Sequence, residues 1–241
     1  MIAAVRSEWG KVWSVRTPGV WLAIAVVTGV LTTFSLGNDA LLAITSGERG
    51  GPVSVDPVDV ITPGVQVAQI SLAAFAIHLV TPEYSSESMR VTVMASPRRW
   101  PILVAKAFDA VVTAGIVGGV VGCAMGVGVR LLLVDHIGVD ASLAAITIGT
   151  ASLSAVAAAL GVALGFITRS AVPSLCIAIV LLVGSLAAPT SVGRLLPGPA
   201  GTDVMHQLST GHLSSTGGAI LCAWSTLSLV VAMGLLRRRD I

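Results

Sequence analysis

Arg90, Arg98, Arg99 and Lys106 fall in one stretch, Pro82 to Lys106, together with Glu83 and Glu87. Guanidinium and ammonium groups make charge-assisted bonds to carboxylates. Tyr84, Val91, Val93 and Met94 offer apolar contact between them, so the chemistry here is that of docking on a partner. Other reactive side chains do not assemble a catalyst. Asp203, His206 and His212 are of metal-ligating type, but three and six residues apart with no second ligand cluster they do not make a tetrahedral site. Ser152 and Ser154 have no adjacent base, and the patterns GxxxxGK[ST], HExxH and GxSxG are absent. Cys123, Cys176 and Cys222 lie in apolar runs without a CxxC, so they read as small buried hydrophobes. No catalytic, cofactor-binding or metal residue is assigned, and the chain is expected not to be an enzyme.

The elements that must position this stretch are apolar. Hydrophobic residues make up 54% of the chain and charged residues 11%, against about 25% in ordinary soluble domains. Mean hydropathy is +0.92. A soluble domain this poor in charge could not cover its surface, whereas a helical bundle in lipid does not need to. The formal net charge of +2 is too small to imply nucleic acid as a partner. The lipid bilayer is the expected one.

Along the chain the runs read as an all-α integral membrane protein, one transmembrane domain over residues 1–241. It has six transmembrane helices at about 18–36, 63–81, 107–129, 141–168, 171–188 and 217–236. Gln66, Gln69 and His78 interrupt the second. Gly115, Gly118, Gly119, Gly122 and Gly126 give the third several small-residue spacings, and Gly161 and Gly165 do the same for the fourth. Asp109 stands three residues after Lys106, the spacing of a helical ion pair. Residues 37–62 and 190–216 read as outside loops rich in Gly and Pro, and Arg169 marks a tight inside turn.

Charge orients the bundle. Arg6, Lys11, Arg16, Arg90, Arg98, Arg99, Lys106, Arg169 and Arg237 to Arg239 all fall in segments assigned inside. Only Arg49, Arg130 and Arg194 fall outside, which predicts cytoplasmic N- and C-termini. In residues 1–17, Ile2, Val5, Trp9 and Val12 or Trp13 recur at helical spacing while Arg6, Glu8 and Lys11 take other faces. An N-terminal interfacial amphipathic helix is expected there.

The loop at 82–106 resembles that of the membrane (permease) subunits of ABC transporters of the ABC-2 type. In these a pattern like E-[YF]-x-x-G-T-x-R-x-T-L, then P-x-R and a lysine, lies between the second and third spans. Glu83 and Tyr84 match its start, Arg90 and Thr92 its middle, and Pro97, Arg99 and Lys106 its end, with Arg98 alongside. Glu87 and Ser88 stand at the Gly-Thr positions and Val93 at the Leu. The opening segment resembles the family's elbow helix in Glu8, Trp9, Lys11 and Arg16.

The resemblance implies a cytoplasmic coupling helix between helices 2 and 3. It also implies a second permease subunit, as homodimer or related heterodimer, and a separate P-loop ATP-binding cassette subunit carrying ATP and Mg, with no cofactor in this chain. The implied activity is export of an apolar or amphipathic substrate (drug, peptide or lipid-like) across a bacterial plasma membrane. The alternative is a non-transport membrane complex subunit or scaffold whose loop recruits a cytoplasmic partner.

Overall fold

Asp56 and Pro57 decide where the central helix starts. The Asp56 carboxylate accepts from Val58 N–H at 2.9 Å, and Pro57 occupies the first turn, where its missing N–H costs nothing. The computed structural model describes residues 16–46, 55–85, 100–133, 142–188, 190–193, 195–210 and 215–238. Its helices are α1 (Arg16–Thr45), α2 (Pro57–His78), α3 (Thr81–Ser85), α4 (Trp100–Leu132), α5 (Leu143–Thr168), α6 (Ala171–Leu182), α7 (Thr190–Gly193), α8 (Pro197–Thr210) and α9 (Ser215–Arg238), with a 3-10 turn at Gly184–Ala187.

Among the described residues five helices are long and apolar enough to cross a membrane, not the six expected: Thr17–Thr45, Pro57–Tyr84, Trp100–Leu132, Leu143–Thr168 and Thr216–Leu236. The expected span at 171–188 fails for a local reason. Pro189 favours extended backbone at the residue before it, and Ala188 sits at φ −70°, ψ 146°. The chain tightens into the 3-10 turn ahead of that point, leaving α6 with 12 residues, about 18 Å at 1.5 Å each. That is short of the ~30 Å hydrocarbon core.

The expected outside loop at 190–216 is corrected as well, because most of it folds as α8. Ala200, Gly201 and Met205 of that helix are buried on the bundle while Asp203 faces out. The broken backbone is covered by side chains. Ser185 Oγ donates to Leu181 O at 2.7 Å, and Trp224 Nε1 of α9 donates to Leu195 O at 2.7 Å.

Helix lengths also differ from the expected spans. The sequence suggests Pro63 as the start of the second helix, but the Asp56 cap sets it earlier and Pro63 lies inside α2. Helix α1 continues past residue 36 to Thr45, and α4 absorbs residues 100–106 of the supposed connection. The interfacial helix expected at 1–17 lies outside the described residues, except that Arg16 and Thr17 already belong to α1. The cytoplasmic placement of both termini is not fixed either, since residues 1–15 and 239–241 are outside that set.

Helices α2 and α5 form the centre. In their most apolar windows 78% and 72% of residues are buried, against 22% in α1 and 17% in α9. Small residues set the spacing. On α4, Gly118, Gly122 and Gly126 step along α5 against Ser154, Thr150 and Leu143. A Cβ on Gly122 would lie 2.7 Å from the Thr150 side chain. Gly119 is different, because a Cβ there would make ordinary contact with Ala151 at 3.7 Å. Gly161 brings α5 against the α2 backbone, 2.7 Å from Ala73 O to the position a Cβ would take. The three cysteines are exposed and free, so they face outward instead of lying in the core. An apolar run in lipid does not distinguish the two faces.

Candidate functional site

The end of α2 frees backbone acceptors that a later helix collects. Leu79 caps the helix, its N–H shared between Phe75 O and Ala76 O at 3.2 and 3.3 Å, and Thr81 Oγ1 donates back to Ile77 O at 3.1 Å. The Leu79 carbonyl, left without a helical partner, accepts from Lys106 Nζ at 2.8 Å. The same ammonium pairs with Glu83 Oε1 of α3 at 2.9 Å, and the Lys106 side chain is only 3% exposed. Lys106 therefore bonds across the junction, to a residue 23 positions earlier. Asp109 is itself buried one turn deeper.

Tyr84, next to Glu83, ties the same short helix to α5. Its ring meets Phe166 edge-on, with centroids 6.2 Å apart, and the Arg169 guanidinium lies 5.4 Å from its centroid. Arg169 adopts φ 58°, the left-handed cap of α5, and donates its N–H to Gly165 O at 3.0 Å. A non-glycine residue in that conformation is strained, and the stack on Tyr84 holds it in place. Helix α3 is thus clamped to α4 by an ion pair and to α5 by a ring stack. A displacement of the chain after Ser85 would be carried into both helices.

Of the residues expected to couple, the structure brings Glu83, Tyr84 and Lys106 together. Arg90, Thr92, Pro97, Arg98 and Arg99 lie outside the described residues, as do Glu8, Trp9 and Lys11. Sequence reasoning missed the participation of Phe166 and Arg169. Only the isolated positive charge at a turn pointed to Arg169. His78, at the same end, donates Nδ1–H to Ala74 O, 3.0 Å away, and its ring packs 5.3 Å from Trp21.

At the opposite end of α2, His206 of α8 lies between two carboxylates, 3.8 Å from Asp56 and 3.4 Å from Asp59. Among the described residues no group of three or more His, Cys, Asp or Glu side chains is arranged to hold a metal ion. His206 serves as a fastening for α8. Both His206 and Asp59 are well exposed, so the pair is worth under about 1 kcal/mol. His206→Ala is expected to leave global stability nearly unchanged while raising amide hydrogen exchange within α8. Unchanged exchange in α8 would show that the helix is held by its apolar face alone.

Helices of this length and hydropathy, clamped at a polar end and packed on small residues, define an all-α, multi-helix membrane protein. Compared with known proteins, the chain matches no family model and no curated protein sequence.

Proposed function

We propose that the protein is the permease subunit of an ATP-driven transporter of the ABC-2 type. The reading gives it a partner P-loop ATP-binding cassette subunit, which supplies ATP and Mg, and a second permease subunit in a bacterial plasma membrane. Its cargo is an apolar or amphipathic drug, peptide or lipid-like molecule moved outward. One observation carries the reading. Glu83 and Lys106, the first and last residues of the resembling loop motif, meet as a buried ion pair at the mouth of that loop.

Burying two charges is costly and is a poor route to stability alone. It suits an element that must transmit force without slipping. The reading assigns the remaining motif residues, Arg90, Thr92, Pro97, Arg98 and Arg99, to docking on the ATPase and Glu8, Trp9 and Lys11 to an elbow helix, while Arg16 stands at the start of α1. Switching between two packings of the bundle would move the cargo.

The first test is purification in mild detergent, in which a P-loop ATPase is expected to accompany the chain in equal amount. Arg90→Ala and Arg98→Ala, made singly, are then expected to insert normally. At least one should lose transport in reconstituted vesicles while ATP hydrolysis persists, or should recover less partner. Normal transport and normal partner recovery in both would reduce the loop to a topological anchor. The same clamp also serves a scaffold subunit that recruits a cytoplasmic protein, and recovery of a stoichiometric partner lacking ATPase activity would favour that alternative.

A further inference from the structure

One side of α4 changes character along its length. Ile102, Ala105 and Asp109 are 6%, 1% and 1% exposed. Ile116, Val120 and Leu131 continue the same side by helical spacing and are 60%, 59% and 74% exposed. Asp109 stands about two and a half turns from Gly118, which meets α5, so this side faces away from α5. The burial is that of one chain alone, so the cover on the first half is the chain's own.

Helix α1 runs beside α4 in the same direction but starts too late to supply that cover. A Cβ on Gly29 would meet Met125 Cε, and one on Gly37 would meet Leu132 Cδ1, so residues about 95 positions apart stand level. Arg16, the first residue of α1, is then level with about residue 111, and Asp109, Ala105 and Ile102 lie beyond it. Two long stretches adjoin this end of the bundle, 1–15 and 86–99. The second enters α4 at Trp100, about 14 Å along the axis from Asp109, which carries Arg98 and Arg99 away from the carboxylate. The first joins α1 at the depth of Asp109.

Charge favours the first stretch too. Lys106 is shared between Glu83 and Leu79 O, and Arg169 stands on α5, which packs against the opposite side of α4. A carboxylate buried at that depth is costly, and a further cation beside it offsets the cost. In residues 1–15 the apolar stripe is Ile2, Val5, Trp9 and Val12 or Trp13. Arg6 falls between Ile2 and Trp9 at spacings of four and three, on the edge of that stripe. Lys11, two residues past Trp9, falls on the far side. As helix, Arg6 lies about 15 Å from Arg16, against about 8–10 Å between packed helix axes, and its long side chain spans the difference.

We propose that residues 1–15 lie across the first half of α4, with the Arg6 guanidinium paired to the Asp109 carboxylate. The planar guanidinium fork suits a carboxylate bidentately. Helix α4 then takes two fastenings about one turn apart, Lys106 to Glu83 and Asp109 to Arg6, and so holds both the connecting loop and the N-terminal segment. The contact needs neither ATPase nor cargo, so its failure would leave the transport reading standing.

The test uses the full chain in lipid nanodiscs, read by amide hydrogen exchange. Asp109→Asn should speed exchange across residues 2–15 at least about tenfold, the worth of a charge-assisted bond, and leave 86–99 unchanged. Arg6→Asp should do the same. Combining Arg6→Asp with Asp109→Arg should restore most of the protection, which a merely structural role for either residue would not. If the Asp109 variants fail to fold, Arg6→Gln set against Lys11→Gln carries the comparison, and only the former should speed exchange. Unchanged exchange in 2–15, or a double variant no better protected than Arg6→Asp alone, would overturn the proposal. Faster exchange in 86–99 instead would overturn it too, giving the cover to that stretch.

Discussion

Leucine at position 161 is expected to leave little folded protein in the membrane. The position a Cβ would take lies 2.7 Å from Ala73 O and 2.9 Å from Ala76 Cβ. A helix carbonyl cannot swing aside, so α2 and α5 would have to separate, and these are the most buried helices of the bundle. Overpacking typically costs 1–3 kcal/mol where side chains can yield, and about 3 kcal/mol or more is expected where backbone must move. Size-exclusion chromatography in mild detergent, with the unfolding midpoint in a denaturing detergent, reads the effect. Gly119→Leu is the matched control and should behave much as wild type, because a Cβ there meets only ordinary contacts. Equal loss in both variants would mean that close approach at Gly161 is not what holds the two helices.

The second large effect is expected at Lys106. Lys106→Met keeps the length of the side chain but removes the charge shared with Glu83 and the bond to Leu79 O. Breaking a buried pair by removing one partner costs about 3–5 kcal/mol, since the other charge stays in place without its counter-ion. Glu83→Gln is expected to cost less, because its side chain is 16% exposed and its amide can still accept from Lys106. Combining Lys106→Met with Glu83→Gln should recover part of the loss, and the recovered part is the coupling energy of the pair. Strict additivity of the two single costs would show that the groups act independently. In transport assays Glu83 variants need parallel protein-level measurements, since the residue supports the fold as well as the loop.

The sequence made the bundle visible but not its edges. The apolar runs announce α1, α2, α4, α5 and α9, because twenty apolar residues without charge have few other uses. Their ends are set by local bonds that hydropathy ignores. The Asp56 cap starts α2 ahead of Pro63, and nothing in the backbone halts α1 where the hydrocarbon stops. The stretch 171–188 is apolar throughout, yet Gly184 and Pro189 outweigh its hydropathy. The stretch 190–216 looks like a loop by its Gly and Pro content, while Ala200 and Met205 bury a helix face that composition averages away.

Within the clamp, Glu83, Tyr84 and Lys106 were legible by resemblance alone. That Lys106 bonds Leu79 O, and that Arg169 stacks on Tyr84, depends on three helix ends converging, which no local pattern encodes.

The break between α6 and α8 has a consequence for how the chain is made. Leu195 O receives its hydrogen bond from Trp224, 29 residues further along. During synthesis that indole does not yet exist when Leu195 emerges, and α6 alone is too short to be held across the bilayer as a finished segment. The stretch must therefore wait, in a provisional arrangement, for α9 to arrive and seal it. Closure of this bond thus comes only after α9 has been made, and until then the Leu195 carbonyl has to take another donor.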